Sequence, residues 1–283
     1  MPIFTNRATL TFTGGAVNSN TVTGQITGAL AVSKIPLGTT YRTAGDTLAY
    51  AVTLTNAGTS PLGGLTVSDD LGAYPFGTGT VTPLTYVEDS LLLFVNGVQQ
   101  PTPAVTAPFT VSGITVPAGG NAVLVYRARP NEYAPIAAGS TVVNTVTVDG
   151  ACPAASTASA TVTVEEAADL SIEKALCPGN LTCQDAISYT FTVRNSGNQD
   201  AEATDNLVVS DVFDPALTDL TVTYNGVLLT EGTDYTYDPA TGEFATVAGV
   251  ITVPAATVTQ DPETGIWVTT PGESVLTVSG NLA

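Results

Sequence analysis

The sequence predicts an all-β protein made of sandwich domains, and three features carry this prediction. Thr, Val, Gly, Ala and Ser dominate the composition, which favours extended strands. The 27 Gly and 18 Pro residues separate short runs, such as LAYAVTLTN and ISYTFTVRN, in which apolar residues alternate with Thr or Ser. No stretch shows the helical repeat of about 3.6 residues. A length of 283 residues suffices for two medium-sized domains with proper cores.

Two copies of one pattern divide the chain into domains. Each copy has a strand that ends in Lys, a Tyr-centred strand that ends in Asn-x-Gly, and a Val-x-Asp strand. The matching segments are LAVSK (30–34), GDTLAYAVTLTNAG (45–58) and LTVSDDL (65–71) in the first copy, and LSIEK (170–174), QDAISYTFTVRNSG (184–197) and LVVSDVF (207–213) in the second. We therefore predict an N-terminal segment at 1–29, domain one at 30–150, a linker at 151–168 and domain two at 169–283.

The second copy stops before its closing strand. Domain one continues through TVVNTVTVDG, but the counterpart of Asn144 in domain two would fall beyond Ala283. The N-terminal stretch FTNRATLTF repeats the alternating pattern that surrounds Asn144, so the segment 1–29 resembles the tail of a missing preceding domain. We therefore expect domain two to lack its last strand.

A sandwich that lacks one strand exposes its core and an unpaired edge. A matching strand at the other end of the chain reaches a neighbouring subunit more easily than its own domain two. We therefore predict donor-strand complementation, in which residues 3–13 of one subunit complete domain two of the next and build a head-to-tail filament. The donor side chains are Phe4, Asn6, Ala8, Leu10 and Phe12. The alternative is a fragment of a longer array whose ends are arbitrary.

The chain contains two lysines, Lys34 and Lys174, at equivalent positions of the two copies. Strand alternation points both amines into a sandwich, where burial lowers a lysine pKa towards the neutral, nucleophilic amine. The same alternation supplies partners, namely Asp69 and Asn144 for Lys34, and Asp211 with the donor Asn6 for Lys174. A buried ion pair that is hydrogen-bonded to Asn is the alternative to a reactive site.

These motifs resemble a family of conserved repeats of unknown function, often tandem, on bacterial and archaeal surface proteins. The resemblance rests on the strand ending in Lys, the Tyr-centred strand ending in Asn-x-Gly and the Val-x-Asp strand, and it covers nearly the whole chain. It implies two tandem Ig-like β-sandwich domains of the kind that form stalks, adhesins and wall or layer components.

The arrangement of Lys, Asn and a carboxylate resembles the autocatalytic isopeptide sites of Gram-positive pilins and adhesins. The resemblance implies Lys34 as nucleophile, Asn144 as electrophile and Asp69 as the acid in domain one. In domain two it implies an intermolecular bond between Lys174 and Asn6 of the next subunit, with Asp211 as the acid.

Composition and cysteine content limit which other functions are possible. The absence of histidine excludes histidine-based triads and most zinc enzymes, and a net charge of −18 disfavours nucleic acid and anionic membranes. The sequence contains no apolar run of the roughly 20 residues that a membrane-spanning helix needs. Acidic pairs such as Asp69-Asp70 lack a regular calcium-loop pattern, so we expect these acids to form turns and expect no metal and no cofactor.

Cys177 and Cys183 bracket a short loop, which predicts a local disulfide between them and leaves Cys152 without a partner. The alternative is that all three thiols are reduced.

The sequence thus predicts a structural subunit of an extracellular, pilus-like filament on a cell or spore surface, with itself as partner and no catalytic turnover beyond self-crosslinking. Low charge density and Thr-rich faces suit a passive polymer better than an enzyme. Two rivals stay open, a stalk segment of an adhesin or surface-layer protein and a carbohydrate-binding module.

Overall fold

The computed structural model describes residues 3–25, 29–42, 46–151, 154–177, 179 and 186–282. These residues form 28 β-strands and one 3₁₀ turn at Ala203–Asp205, so the all-β prediction is confirmed. Nowhere in these ranges does a helix have the length and apolar character needed to cross a bilayer.

The first described residues, 3–25, form one antiparallel hairpin, which we call the arm. Its strands are β1 (Ile3–Asn6), β2 (Thr9–Phe12), β3 (Gly15–Asn18) and β4 (Val22–Gln25). β1 pairs with β4 and β2 with β3, and the chain reverses at Gly14, whose φ of +112° is a conformation that favours glycine. Every side chain from 3 to 23 is exposed.

The arm differs from the single donor strand that the sequence predicts for residues 3–13. Phe4 and Asn6 lie on β1 and Leu10 and Phe12 on β2, but each strand is already paired within the arm. The arm is longer than the predicted segment because the chain turns at Gly14 and residues 15–18 and 22–25 pair back onto it.

Domain one is a sandwich of two six-stranded sheets. The sheet orders are β13-β12-β16-β7-β5, with β11 also on β16, and β14-β15-β8-β17-β18-β6. β9 and β10 form a separate ladder. The strands are β5 (Leu30–Pro36), β6 (Thr40–Tyr41), β7 (Leu48–Asn56), β8 (Leu62–Asp69), β9 (Tyr74–Phe76), β10 (Gly79–Val81), β11 (Leu84–Tyr86), β12 (Leu92–Val95), β13 (Val98–Gln100), β14 (Val105–Thr106), β15 (Thr110–Val116), β16 (Asn121–Pro130), β17 (Thr141–Asp149) and β18 (Ser156–Val164).

The core of domain one follows from the two-residue period of its strands. On β7, every second residue from Leu48 to Asn56 is buried, and the residues between them are partly or fully exposed. β16 and β17 alternate in the same way, so apolar side chains from both sheets meet in the middle of the sandwich.

The stretch predicted as a linker, 151–168, contains a strand of domain one. β18 pairs along the whole of β17 and buries Ala160, Val162 and Val164 on its inward side. By contacts, the chain divides into one compact unit of Met1–Pro135 with Thr141–Thr163 and a second of Ile136–Ser140 with Val164–Ala283. The sheet of domain one therefore extends past residue 150 into the stretch predicted as a linker, because the alternating run ATVTV pairs with β17.

Domain two has one five-stranded sheet and one short sheet. The orders are β19-β20-β28-β22-β23 and β21-β25-β24, with a β26-β27 ladder beside them. The strands are β19 (Leu170–Cys177), β20 (Ala186–Asn195), β21 (Ser210–Val212), β22 (Leu217–Tyr224), β23 (Val227–Leu228), β24 (Tyr235–Tyr237), β25 (Glu243–Thr246), β26 (Thr257–Gln260), β27 (Trp267–Thr270) and β28 (Gly272–Leu282).

The two domains match in one sheet and differ in the other. The larger sheet of domain two repeats the order β5-β7-β16-β12-β13 of domain one. In domain one, β8 lies between β15 and β17. Its counterpart β21 pairs with β25, but within the described residues no strand lies on its other side. Domain two therefore presents an open edge where domain one has β17 and β18.

Candidate functional site

Lys34 and Asp69 form a buried ion pair inside domain one. β5 carries Lys34 and β8 ends at Asp69, and strand alternation turns both side chains inward. Lys34 Nζ donates to Asp69 Oδ2 at 2.6 Å, and neither side chain is exposed. The Tyr126 hydroxyl donates to the same oxygen, and the Leu71 N–H donates to Oδ1 at 2.9 Å. Three donors therefore hold the carboxylate, as a buried charge requires.

Aromatic rings surround the amine. Lys34 Nζ lies 4.9 Å from the centre of the Tyr50 ring and 5.9 Å from that of Tyr126. Burial lowers the pKa of Lys34, and this effect outweighs the opposing attraction of Asp69. The site therefore makes the neutral amine more accessible than it is for a lysine in water.

Asn144 completes the cluster from β17. Its carboxamide is fully buried, and neither Oδ1 nor Nδ2 has a hydrogen-bond partner among the described residues. It lies close enough to the Tyr50 and Tyr126 hydroxyls to oppose the rise that burial causes in their pKa values. A buried amide without partners costs about 1–3 kcal/mol per unsatisfied group. Lys34 and Asn144 therefore both lie beside Tyr50 and Tyr126, and the fold keeps the carboxamide buried at this cost.

Asp70 fixes the strand that carries Asn144. The Thr145 N–H donates to Asp70 Oδ1 at 2.8 Å, and the Asp70 N–H donates to the Thr145 carbonyl at 3.0 Å. Asp70 Oδ1 also accepts from the Gly72 N–H at 2.8 Å, which is the turn-forming role expected from the sequence. The pair with Thr145 sets the position of the neighbouring Asn144 along β17.

The equivalent pair in domain two is exposed. Lys174 Nζ donates to Asp211 Oδ2, but the two side chains are 42% and 20% exposed. Nζ lies 4.5 Å from the centre of the Tyr189 ring and 5.5 Å from that of Phe213, so an aromatic surround is again present. The amine and the acid are therefore in place without the cover that β17 supplies in domain one.

The exposure extends along the inward face of β19. Leu170, Ile172 and Leu176 share this face with Lys174 and are 41%, 57% and 44% exposed. In domain one, the equivalent Leu30 and Val32 are partly buried and Lys34 is buried. Two grooves flank the open edge: Leu170, Ile172, Val209 and Ile251 line one, and Asp211, Tyr237 and Phe244 line the other.

The remaining predicted residues stand apart from these pairs. Phe4, Asn6, Ala8, Leu10 and Phe12 are exposed on the arm, where Asn6 pairs with Val22. Cys177 is exposed at the end of β19. Its predicted disulfide partner Cys183 lies outside the described residues, as does Cys152. Across the described ranges, no group of three His, Cys, Asp or Glu side chains is arranged to hold a metal ion.

Sequence reasoning missed Tyr126 and the role of Asp70 towards Thr145. Tyr126 faces Tyr50 across β16 and β7, whereas Val278 faces Tyr189 at the equivalent place in domain two. Comparison of the two copies therefore gave no reason to single Tyr126 out. The available signal was alternation, because Tyr126 shares the buried face of β16 with Leu124 and Ala128.

Comparisons with known proteins give distant similarities. No family model and no curated protein matches the chain. Among solved structures, BcpA, the major pilin subunit of Bacillus cereus, is similar at 11% identity and a TM-score of 0.35, over 95% of this chain and 73% of that one. A C-terminal fragment of GBS80, the major pilin of Streptococcus agalactiae, is similar at 11% identity and 0.33, over 86% and 91%. The C-terminal domain of the AgI/II polypeptide BspA of Streptococcus agalactiae is similar at 11% identity and 0.30, over 89% and 92%.

Proposed function

We propose that this protein is the structural subunit of an extracellular filament, in which the arm of one subunit completes domain two of the next. One observation carries the proposal. Leu170, Ile172 and Lys174 are exposed in domain two, whereas their counterparts in domain one are partly or fully buried. They lie on the domain whose β21 edge pairs with no described strand. Exposed apolar side chains beside an unpaired ladder favour the addition of a strand.

The arm supplies what the open edge lacks. It alternates apolar and polar residues, it contains an Asn at the position equivalent to Asn144, and its side chains are exposed. Its one charged residue is Arg7, whereas domain two has two basic residues among many acidic ones. Charge therefore favours the encounter between the arm and domain two. Because donor and acceptor lie on different parts of the chain, the contact repeats from subunit to subunit.

We further propose that Lys34 and Asn144 form an amide bond within domain one. A proton passes from the Lys34 ammonium to Asp69, and the neutral Nζ attacks Cγ of Asn144. The new Nζ–Cγ bond replaces the bond from Cγ to Nδ2. Asp69 gives its proton to Nδ2, which leaves as ammonia, and Asp69 then takes the second proton, which Nζ loses on becoming an amide. The unpartnered carboxamide supports this reaction, because bond formation removes the buried donor group Nδ2.

The same chemistry in domain two joins subunits. Lys174 and Asp211 are already paired, and Asn6 of a docked arm would take the position that Asn144 has in domain one. Docking would also exclude water from the pair, and removal of water favours the neutral amine, which is the nucleophile, over the charged one. The filament would then be linked covalently from end to end.

Electron microscopy of the purified 283-residue chain at high concentration tests the filament. We expect filaments that survive boiling in detergent, and monomers when residues 1–15 are deleted. A full-length chain that stays monomeric at high concentration rejects the proposal, and filaments that persist after the deletion reject the role of the arm.

A matched pair of substitutions on the arm tests the contact more finely. Leu10 is equivalent to the buried Val148, and Thr11 to the exposed Asp149. Leu10→Arg would bury a charge, so we expect the critical concentration to rise by about tenfold or more. Thr11→Arg should leave it nearly unchanged. Equal effects of the two substitutions would show that the arm does not dock with this face inward.

Intact mass tests the amide bonds. The monomer fraction should be one ammonia lighter than the sequence mass, and Lys34→Ala should restore the full mass. Each subunit within a filament should lose a second ammonia, which Lys174→Ala prevents. An unaltered mass in the wild-type protein rejects the chemistry while leaving non-covalent assembly intact.

A further inference from the structure

The β1–β4 ladder of the arm has the same strand register as the closing hairpin of domain one. Asn6 faces Val22 in the arm, and Asn144 faces Ala160 in the hairpin of β17 and β18. In both pairs, the facing residues are sixteen positions apart along the chain. The equivalence therefore includes the second strand, β4, and not only the strand that carries Asn6.

The inward faces of the two hairpins also correspond. On β17, the buried residues are Val142, Asn144, Val146 and Val148, and their counterparts on the arm are Phe4, Asn6, Ala8 and Leu10. On the second strand, the buried Ala160 and Val162 correspond to Val22 and Gly24. The Phe4 ring lies over Gly24, so a side chain added there would displace the ring. The large Phe4 side chain on one strand is thus matched by glycine on the other, so this face of the arm has no bulky pair that would prevent close packing against a sheet.

Domain one shows what such a hairpin covers. β17 pairs with β8 so that Val146 faces Asp69 and Val148 faces Val67. Asp211 and Val209 take the places of Asp69 and Val67 in the repeat. The second strand, β18, contributes buried side chains of its own to the sandwich. A single added strand would therefore leave domain two less complete than domain one.

We propose that the arm docks as an intact two-stranded hairpin on the β21 edge of a second copy, with Ala8 opposite Asp211 and Leu10 opposite Val209. This inference rests on the proposed function and specifies its donor. Keeping the hairpin intact preserves the pairing of β1 with β4, so insertion does not require these backbone hydrogen bonds to be broken. It also carries the apolar Val22 and Phe4 into the contact together.

A disulfide across the arm distinguishes a hairpin from a single strand. Thr5 and Thr23 face each other, and their equivalents in domain one, Val143 and Thr161, are exposed. Thr5→Cys with Thr23→Cys, in a chain whose three native cysteines are serines, would join β1 to β4 on the outward face. We expect the oxidised variant to form filaments at the same critical concentration as its reduced form.

Loss of filaments on oxidation, with recovery on reduction, would overturn the proposal and indicate that a single strand separates and inserts. If the parent chain forms no filaments at all, the proposed function has failed instead. The two failures are therefore distinguishable in one experiment.

A second pair of variants tests the register. Leu10→Cys with Val209→Cys should give reducible multimers, and mass mapping should identify the two linked peptides from different subunits. Phe12→Cys with Val209→Cys, which is two residues out of register, should give far fewer. The reverse order of yields, or a link formed within one chain, would overturn the assignment even if filaments are present.

Discussion

Tyr126 and Lys34 donate hydrogen bonds to the same carboxylate oxygen, Oδ2 of Asp69. Tyr50 stacks on Tyr126 with its ring centre 5.7 Å away, yet its hydroxyl has no partner among the described residues. We therefore expect Tyr126→Phe to lower the free energy of unfolding of domain one by about 1.5–3 kcal/mol, the value of a hydrogen bond to a charged group.

Tyr50→Phe is the matched control, because it removes a hydroxyl that forms no such bond. Its effect should be close to zero or slightly stabilising. Both variants are compared by urea unfolding in an Asn144→Ala background, where no amide bond forms. Equal losses for the two variants would show that the bond from Tyr126 to Asp69 contributes little.

The two lysines should differ in what they contribute to stability. Lys34→Ala leaves the Asp69 carboxylate buried without its ion-pair partner, and we expect a loss of about 3–5 kcal/mol. Lys174→Ala breaks a partly exposed pair, for which about 0–1 kcal/mol is expected. Urea unfolding of unpolymerised protein in the Asn144→Ala background measures both losses. Similar losses at the two sites would contradict the difference in burial.

The sequence predicted the fold class and the buried position of Lys34 and Asp69 because both depend on the two-residue period of strands. Lys34 shares a face with Leu30 and Val32, so its inward direction follows from alternation alone, and the structure buries it. The position of Asp69 follows in the same way from Leu65 and Val67. Such arguments need no knowledge of which strands are neighbours.

The sequence did not predict features that depend on strand pairing. Alternation is the same for a linker strand and a sheet strand, so Ser156–Val164 was not recognised as the partner of β17. For the same reason alternation predicts one strand where the arm has a hairpin, since pairing of Asn6 with Val22 depends on the turn at Gly14. Tyr126 was missed because its closeness to Asp69 arises from packing between two sheets. The exposure of Lys174 also depends on strand pairing, because no described strand of domain two takes the place that β17 has in domain one.

The Asn-x-Gly motif predicts equal effects in the two domains. Asn56 Oδ1 accepts from Gly58 N–H at 2.9 Å, and its Nδ2 donates to the Ser60 carbonyl at 2.8 Å. Asn195 repeats this with Gly197 at 2.9 Å and Gln199 at 2.7 Å, and both side chains are fully buried. Replacing either Asn with Ala should cost about 2–4 kcal/mol, because several buried backbone groups lose partners.

Trp267, the single tryptophan, lies in domain two and separates the two effects of these Asn substitutions. Asn195→Ala should lower the unfolding midpoint reported by Trp267 fluorescence, and Asn56→Ala should leave it unchanged. Asn56→Ala should instead shift the midpoint of the transition that far-ultraviolet circular dichroism follows and the fluorescence does not. A shift of the fluorescence midpoint by both variants would mean that the domains do not unfold separately.

Domain one should be most stable near the ordinary pKa of tyrosine. Burial lowers the pKa of Lys34 in the folded domain below the ordinary 10.5 of the unfolded chain. At a pH between the folded and the unfolded pKa, the unfolded chain binds more protons than the folded domain, so stability rises with pH. Burial raises the pKa of Tyr41, Tyr50 and Tyr126 above 10.0. Above that pH, the unfolded chain releases protons that the folded domain retains, so stability falls as pH rises.

The two limbs of this pH profile are separable by mutation. Urea midpoints of the Asn144→Ala variant, measured from about pH 8 to pH 12, should pass through a maximum. Adding Lys34→Met should remove the rising limb, because no amine is left to deprotonate in the fold. Adding Tyr50→Phe should instead make the falling limb shallower, because one buried hydroxyl no longer resists ionisation. A midpoint that rises steadily beyond the pKa of free tyrosine would contradict the burial of these three hydroxyls.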